Sequence, residues 1–231
     1  MRAVIAAGLG SLGLDAVKAD ALTQYGELLL ETNKVMNLTA ITDPGDVATL
    51  HMLDCAALCA RWDFGGKTLI DVGTGAGFPG LVVAILSPAC QVTLLDPLEK
   101  RLKFIQSVID TLHLSNVTLL HSRGEDAGRE AALRESFDFA TARAVADLTV
   151  LAELCLPFVK VGGAFLAMKS VDSDAELAAA KPLLGQLGGR AEKPVDYAIP
   201  GTDVTHRVWP VAKIGPTPPK FPRRWNKIRK K

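Results

Sequence analysis

The 231-residue sequence has no apolar run approaching the roughly 20 residues that a membrane-spanning helix requires, and this excludes a helical membrane protein. Four cysteines are too few to staple a chain of this length, so they imply no disulfide framework and point to a reducing, cytoplasmic setting. No stretch repeats itself, which excludes a solenoid or propeller. Acid is missing from one end: between Val204 and Lys231 there are nine Lys or Arg and no Asp or Glu. The remaining sequence therefore holds 17 basic against 25 acidic residues, although the whole chain is at +1. An acidic body with a basic end suggests a polyanionic partner met by that end.

What is present is an ordinary globular composition, 48% hydrophobic and 22% charged. The opening MRAVIAAGLGSLGL carries one Arg and a mildly apolar run. Gly8, Gly10 and Gly13 interrupt that run and it leads directly into a helical pattern, so it reads as part of the fold rather than as a signal peptide. Leu22, Tyr25, Leu28 and Leu29 recur at helical spacing and predict a helix over 16–34. Asp43-Pro44 starts a second helix, with Asp43 as cap and Pro44 at the first helical position. Residues 1–62 are thus expected to form a helical cap.

From Thr68 onward short apolar strands alternate with helices. Strands are predicted over 68–72, 92–95, 117–120, 137–142 and 164–168; helices are predicted over 81–86, 99–112, 148–159 and 174–184. This alternation predicts an α/β fold, a Rossmann-like sheet that is mostly parallel. Residues 195–199 and 207–213 add an antiparallel edge hairpin. Residues 63–214 would form this second domain. Residues 215–231, GPTPPKFPRRWNKIRKK, have four prolines and no periodicity and are expected to be a basic tail rather than a packed element.

In such a sheet ligands sit at the carboxyl edge, and the chemistry-bearing residues fall there. Strand 68–72 runs into LIDVGTGAGFPG (69–80), whose glycines allow a tight turn and close approach to a ligand. The dinucleotide fingerprint G-x-G-x-x-G is met from Gly75, too far from the strand; counted from Gly73 it fails at Phe78. Asp71, beside the turn, is awkward for a diphosphate but suits the sulfonium and ammonium of S-adenosylmethionine. Asp71 also fits a role as cap or loop acceptor. Asp96, at the end of the second strand, can accept from both hydroxyls of an adenosine ribose, a role shared with NAD enzymes, or cap the helix after Pro97. Gly124 and Glu125 follow the third strand, beside the expected adenine. Cys55 and Cys59, one turn apart, have no further ligands at metal spacing and are expected in the core. His51 faces either the active-site edge or the cap.

Strand–DVGTGAGFPG–helix, strand–LLDPLEKR–helix, HSRGED and TARAVADL, preceded by ETNKVMNLTAITDP and HMLDC, resemble the bacterial small-subunit ribosomal RNA methyltransferase G family (RsmG, formerly GidB). The resemblance runs from about Leu28 to Lys169, and PPKFPRR also fits it. It implies a class I methyltransferase sheet and S-adenosylmethionine-dependent methylation of guanine N7 in the 530 loop of 16S ribosomal RNA. Gly73, Gly75 and Phe78 would line the cofactor site. Gly124 and Glu125 would contact adenine, and Arg143 would complete the site near the reacting centre. Thr32, Cys55 and Ser170 depart from the Trp, Ser and Gly usual in the family.

Guanine N7 has a free lone pair and no proton, so no general base is required. Consistently, the sequence has neither an Asp/Asn-Pro-Pro-aromatic segment for an exocyclic amine nor a Pro-Cys pair for pyrimidine C5. Arg143 and Lys169 are the positioning candidates. Lys169, Arg223, Arg224 and Lys227, with Arg229, Lys230 and Lys231, are the candidate RNA contacts, and Trp225 either stacks on a base or anchors the tail. The expected partner is 16S RNA or the small subunit, with no metal, no membrane and a monomer as the default. Two other readings share the sheet: a non-catalytic RNA-binding ribosome-assembly factor and an NAD-dependent oxidoreductase.

Overall fold

The computed structural model describes residues 1–143 and 146–229. Lys230, Lys231 and, within TARAVADL, Ala144 and Val145 lie outside the described residues. The helices are α1 (Arg2–Ser11), α2 (Ala19–Met36), α3 (Pro44–Asp46), α4 (Asp54–Cys59), α5 (Gly80–Leu86), α6 (Glu99–Leu112), α7 (Gly124–Ala127), α8 (Leu148–Cys155), α9 (Asp174–Gln186) and α10 (Trp225–Ile228). The strands are β1 (Thr68–Val72), β2 (Gln91–Asp96), β3 (Val117–His121), β4 (Phe137–Arg143), β5 (Val159–Ser170), β6 (Gly189–Ala191), β7 (Val195–Ala198) and β8 (Thr205–Lys213).

They form one sheet in the order β3-β2-β1-β4-β5-β8-β6, with β7 also paired to β8. Strands β1 to β5 are parallel, and β8 runs antiparallel between β5 and the short outer strands. The mostly parallel Rossmann-like sheet read from the alternation is therefore present, and so is the antiparallel β7–β8 pairing. The strand order reverses between β1 and β4, and the crevice at that switch point is where open α/β sheets bind ligands.

Two apolar cores lie on the two faces of the sheet. One joins α1, α2 and α4 to α5 and α6, with Tyr25, Leu29, Leu53 and Leu81 fully buried. The other joins α8 and α9 to the C-terminal segment through Leu151, Phe158, Leu184 and Phe221. Helix α1 was not expected as an element. Its glycines do not break it, because Gly8 faces Leu53: a Cβ there would meet the Leu53 side chain at 2.2 Å.

The C-terminal segment is not a loose tail. Phe221 is buried, and Arg134 donates to the carbonyls of Thr217, Pro218 and Phe221. Arg223 pairs through two nitrogens with the fully buried Glu153, at 2.6 and 2.9 Å. The segment has no periodicity because it is held by individual side chains rather than by a ladder or a helix face.

Candidate active site

Asn33, near the end of α2, shapes the rim of the crevice. Its side-chain oxygen accepts from the amides of Leu38 and Thr39, while Asn37 at the helix end takes a left-handed conformation (φ 48°). This turn brings Thr39 to His51. His51 lies in a π-helical stretch, Val47–Leu53, that joins α3 to α4; such widened turns recur at functional sites.

Arg143, at the end of β4, donates to the Leu50 carbonyl at 2.9 Å, to Asp54 Oδ2 at 2.9 Å and to His51 Nδ1 at 3.0 Å. Since a guanidinium only donates, Nδ1 of His51 is the acceptor. Nε2 then carries the proton and donates to Thr39 Oγ1 at 2.8 Å. Burial, and then the Arg143 charge, push the His51 pKa down to about 4, so the ring is neutral at physiological pH. Phe78 is stacked between His51 and Tyr25, at centroid distances of 4.6 and 5.1 Å, and Arg143 lies 5.1 Å over its ring. The Tyr25 hydroxyl donates to the Ala76 carbonyl, so the helical cap grips the glycine loop directly.

Asp54 is fully buried and has three donors, Arg143 on Oδ2 and both Tyr197 and His206 Nδ1 on Oδ1, each of the last two at 2.8 Å. Burial pushes its pKa up, but the His206 hydrogen bond and the Arg143 charge outweigh that and hold it below the ordinary value. The Asp54 hydrogen bond in turn raises His206. The two histidines are therefore expected to titrate on opposite sides of 6.5. In an NMR titration His51 should change charge near pH 4 and His206 above 6.5. The linkage runs oppositely too. The stabilisation from His206 is complete below pH 6.5 and fades as pH rises through its folded value, whereas that from His51 is present above pH 6.5 and fades as pH falls toward 4.

Asp71 is not where the electrostatic reading of the sequence placed it. It is fully buried, it does not line the crevice, and its carboxylate faces into the loop. Oδ2 accepts from Thr74 Oγ1 at 2.6 Å and from the Gly80 amide at 2.9 Å, and Oδ1 accepts from Thr141 at 3.1 Å. Thr141 is its register partner on β4. The loop packs so tightly on this acid that a Cβ at Gly80 would lie 2.8 Å from the Asp71 Cβ. Burial raises the Asp71 pKa to about 6 against the pull of those hydrogen bonds. Asp71 therefore serves the loop as its acceptor and fills the N-terminus of α5, the place where dinucleotide folds seat a pyrophosphate.

The amides of Gly73 and Thr74 are bonded to the Leu95 carbonyl and that of Gly75 to Asp96. Those of Gly77 and Phe78 bond the Thr74 carbonyl. The turn thus has no nest of free amides for a diphosphate; what it presents is bare backbone. Gly73 and Gly75 hold φ values of 72° and 63°, and a Cβ on Gly75 would meet no protein atom within 4 Å.

Asp71→Asn is expected to lower stability by about 1–3 kcal/mol, because one of three buried donors loses its acceptor. Cofactor affinity should fall with it as the loop loosens. A direct contact with the cofactor would instead weaken affinity at unchanged unfolding temperature; calorimetry and thermal unfolding together separate the two.

Gly73, Gly75, Phe78, Asp96 and Arg143 come together around a cavity of about 430 Å³ at the carboxyl edge of β1, β2 and β4. Asp96 is buried, accepts from the amides of Gly75 and Leu98, and pairs with Arg101 at 3.2 Å. Gly124 and Glu125 begin α7 after β3 but are not among the residues lining this cavity; Glu125 is bonded to Arg123. A second cavity, of about 530 Å³, adjoins the first, and His51 and Arg143 line both. Lys169, Glu176 and His206 line the second one.

Arg223, bound to Glu153, is a latch and not a free phosphate contact, whereas Arg224 and Lys227 are exposed. Trp225 packs partly buried against the second core, with Arg123 and Arg229 over its ring at 5.4 and 5.9 Å. Cys55 is buried in the core and Cys59 packs against it. Among the described residues no group of His, Cys, Asp and Glu could hold a metal, and no helix is long and apolar enough to cross a membrane.

Sequence reasoning missed Tyr25, Asp54, Arg101, Tyr197 and His206. Asp54 offered a signal, since it lies three residues after His51 within HMLDC and so shares a helix face with it. Arg101 lies five residues after Asp96, within LLDPLEKR; Tyr25, Tyr197 and His206 join the site only through the tertiary fold.

A family model described as rRNA small subunit methyltransferase G matches residues 18–194. The chain is 46% identical over 208 residues to ribosomal RNA small subunit methyltransferase G of Clostridium perfringens (strain SM101), covering 90% of this chain and 87% of that protein. It is 48% identical over 203 residues to the protein of that name from Leuconostoc citreum (strain KM20), covering 87% and 84%. Among solved structures, a SAM-dependent methyltransferase from Aquifex aeolicus superposes with a TM-score of 0.55 at 18% identity, over 76% of this chain and 96% of that one. At that identity the likeness concerns the fold alone.

Proposed function

Because this chain belongs to the rRNA small subunit methyltransferase G family, we infer that it uses S-adenosylmethionine to methylate N7 of a guanosine in the 530 loop of 16S ribosomal RNA. It acts as a monomer in the bacterial cytoplasm. The single observation that carries this reading beyond family membership is the pair of cavities sharing the His51–Arg143 wall. One cavity has the features of a nucleoside cofactor site and the other opens beside it at the same sheet edge.

The residues of the first cavity fit the cofactor. The uncovered face of Gly73 to Gly75 lets a ligand lie against backbone. Phe78 offers an aromatic wall, and Asp96 holds a carboxylate at the end of β2 where a ribose can be received. When bound there, S-adenosylmethionine supplies a methyl group on a sulfonium, ready for transfer to a nucleophile with a lone pair.

Guanine N7 loses no proton on methylation, and no side chain at the wall is set up as a base. His51 is neutral with its acceptor nitrogen already bonded to Arg143, and Asp54 is enclosed by three donors. What the protein contributes is alignment, which can supply roughly 7–11 kcal/mol of a barrier. The stack of Tyr25, Phe78 and His51, tied by Arg143 to Asp54, is a rigid edge common to both cavities, beside which donor and acceptor would be held in line. Arg224 and Lys227 would contact RNA phosphates outside the pocket.

The NAD reading is disfavoured by the loop itself, where Asp71 accepts from the first amide of α5 and the amides of Gly73, Thr74, Gly75, Gly77 and Phe78 are bonded within the protein. A non-catalytic assembly factor would have no need of the double cavity. Isothermal calorimetry with S-adenosylmethionine and NAD tests the cofactor. Binding of the first alone is expected; binding of NAD in its place would overturn the reading.

A further inference from the structure

The second cavity contains an ion pair whose leftover hydrogen-bonding capacity is specific. Lys169, on β5, follows Met168, the register partner of Arg143, so it stands next to the shared wall. Its ammonium donates to the Ala146 carbonyl at 3.0 Å and pairs with Glu176 Oε2 at 2.7 Å. An ammonium has three donors, so one remains. Glu176, on α9, takes the Leu148 amide on the same Oε2 at 2.8 Å. Among the described residues its Oε1 has no hydrogen-bond partner. The cavity therefore presents one donor beside one acceptor. Around them Ile41, Leu50, Met168 and Val204 supply apolar surface for a planar ring.

That donor–acceptor order is the complement of one base edge. Guanine carries, in sequence around the ring, N7, the O6 acceptor and the N1–H donor. Adenine reverses the last two, with an N6 amino donor and an N1 acceptor. We propose that the Lys169–Glu176 pair is a guanine reader: the Lys169 ammonium donates to O6 and Glu176 Oε1 accepts from N1–H. In that pose Lys169, next to the register partner of Arg143, stands nearer the first cavity than Glu176, and N7 is left facing the first cavity beside the His51–Arg143 edge. Adenine in the same place would set its amino group against the ammonium and its N1 lone pair against the carboxylate. This assignment rests on the reading of the enzyme as a guanine-N7 methyltransferase and adds what selects the base.

The test uses the full chain saturated with S-adenosylhomocysteine, so that the first cavity is closed to competing nucleotides. Binding of GMP, IMP and AMP is then measured by ligand-observed NMR. GMP and IMP share O6 and N1–H and are expected to bind alike, each at least about fivefold more tightly than AMP, since a good pair of base contacts is worth about 1–3 kcal/mol. Glu176→Gln presents an amide that suits adenine as well as guanine, and should bring the three nucleotides within about twofold. Lys169→Met should weaken GMP and IMP together and leave AMP no weaker, narrowing the preference. Unchanged S-adenosylhomocysteine affinity in both variants shows that they are folded.

Equal binding of the three nucleotides by the wild-type protein, or none, overturns the proposal, as does a guanine preference that survives Glu176→Gln. Failure of the wider reading would look different: the wild-type protein would bind no S-adenosylmethionine and transfer no methyl group to small subunits, whatever its nucleotide preference.

Discussion

Replacing Asp54 with alanine is expected to destabilise the protein by about 3–5 kcal/mol, the usual consequence of removing one partner of a buried charge pair. Asp54 is fully buried at the second cavity and bonded to Arg143, which lines both. Without it, the Arg143 guanidinium keeps, among the described residues, the Leu50 carbonyl and His51 as acceptors, and the Tyr197 hydroxyl loses its own. The effect belongs to the charge rather than to the volume. Tyr197→Phe removes one neutral donor from the same carboxylate and should cost only about 1 kcal/mol. Urea unfolding of the two variants gives the comparison. A loss below about 1 kcal/mol for Asp54→Ala would mean that Arg143 has another resting place and that the wall is not rigid. Activity should fall further than stability alone explains, because Arg143 and His51 face both cavities and each is held in place by this network.

The second large effect is at Arg223. Its partner Glu153 has no exposed surface, and Arg223→Ala leaves that carboxylate with the residue 223 amide as its remaining donor. Destabilisation of about 3 kcal/mol is expected, the low end of the range for an orphaned buried charge. Arg224, next in sequence, is exposed. Arg224→Ala should stay within about 0.5 kcal/mol of wild type in stability, while the slope of log RNA affinity against log salt falls by about 0.7–0.9 for the lost phosphate contact. The two neighbours thus separate a structural arginine from an RNA-binding one. If Arg223→Ala changed the salt slope and left stability alone, the latch would be misassigned.

The contrast between these adjacent arginines also shows what a sequence can and cannot reveal. A basic run without acids is visible at once, but which member is matched to an acid 70 positions earlier is a matter of tertiary packing. The alternation of strands and helices was legible because period and length are local properties, and α6 begins and ends where the apolar spacing and Glu99 indicate. Asp71 was legible in place but not in direction. The residue stands at the end of β1 as read, yet its partners are three, nine and 70 residues away, and together they turn the carboxylate inward. His206 was invisible as a site residue for the same reason, being 152 positions from Asp54. Tyr25 was read as a core residue of α2, and it is one. Its hydroxyl, though, reaches the glycine loop, a contact that no helical periodicity encodes.

Both stability effects bear on the elements that hold the two cavities and the proposed docking of RNA beside them. The most direct measurement is mass spectrometry of 16S ribosomal RNA from cells with and without this protein, followed by treatment of the modification-free small subunits with purified protein and S-adenosylmethionine. One methyl group on N7 of a guanosine in the 530 loop, absent without the protein and restored by it, is the expected result. A 530 loop that carries the same methyl group in both cells, or a methyl group restored on any other atom, would contradict it.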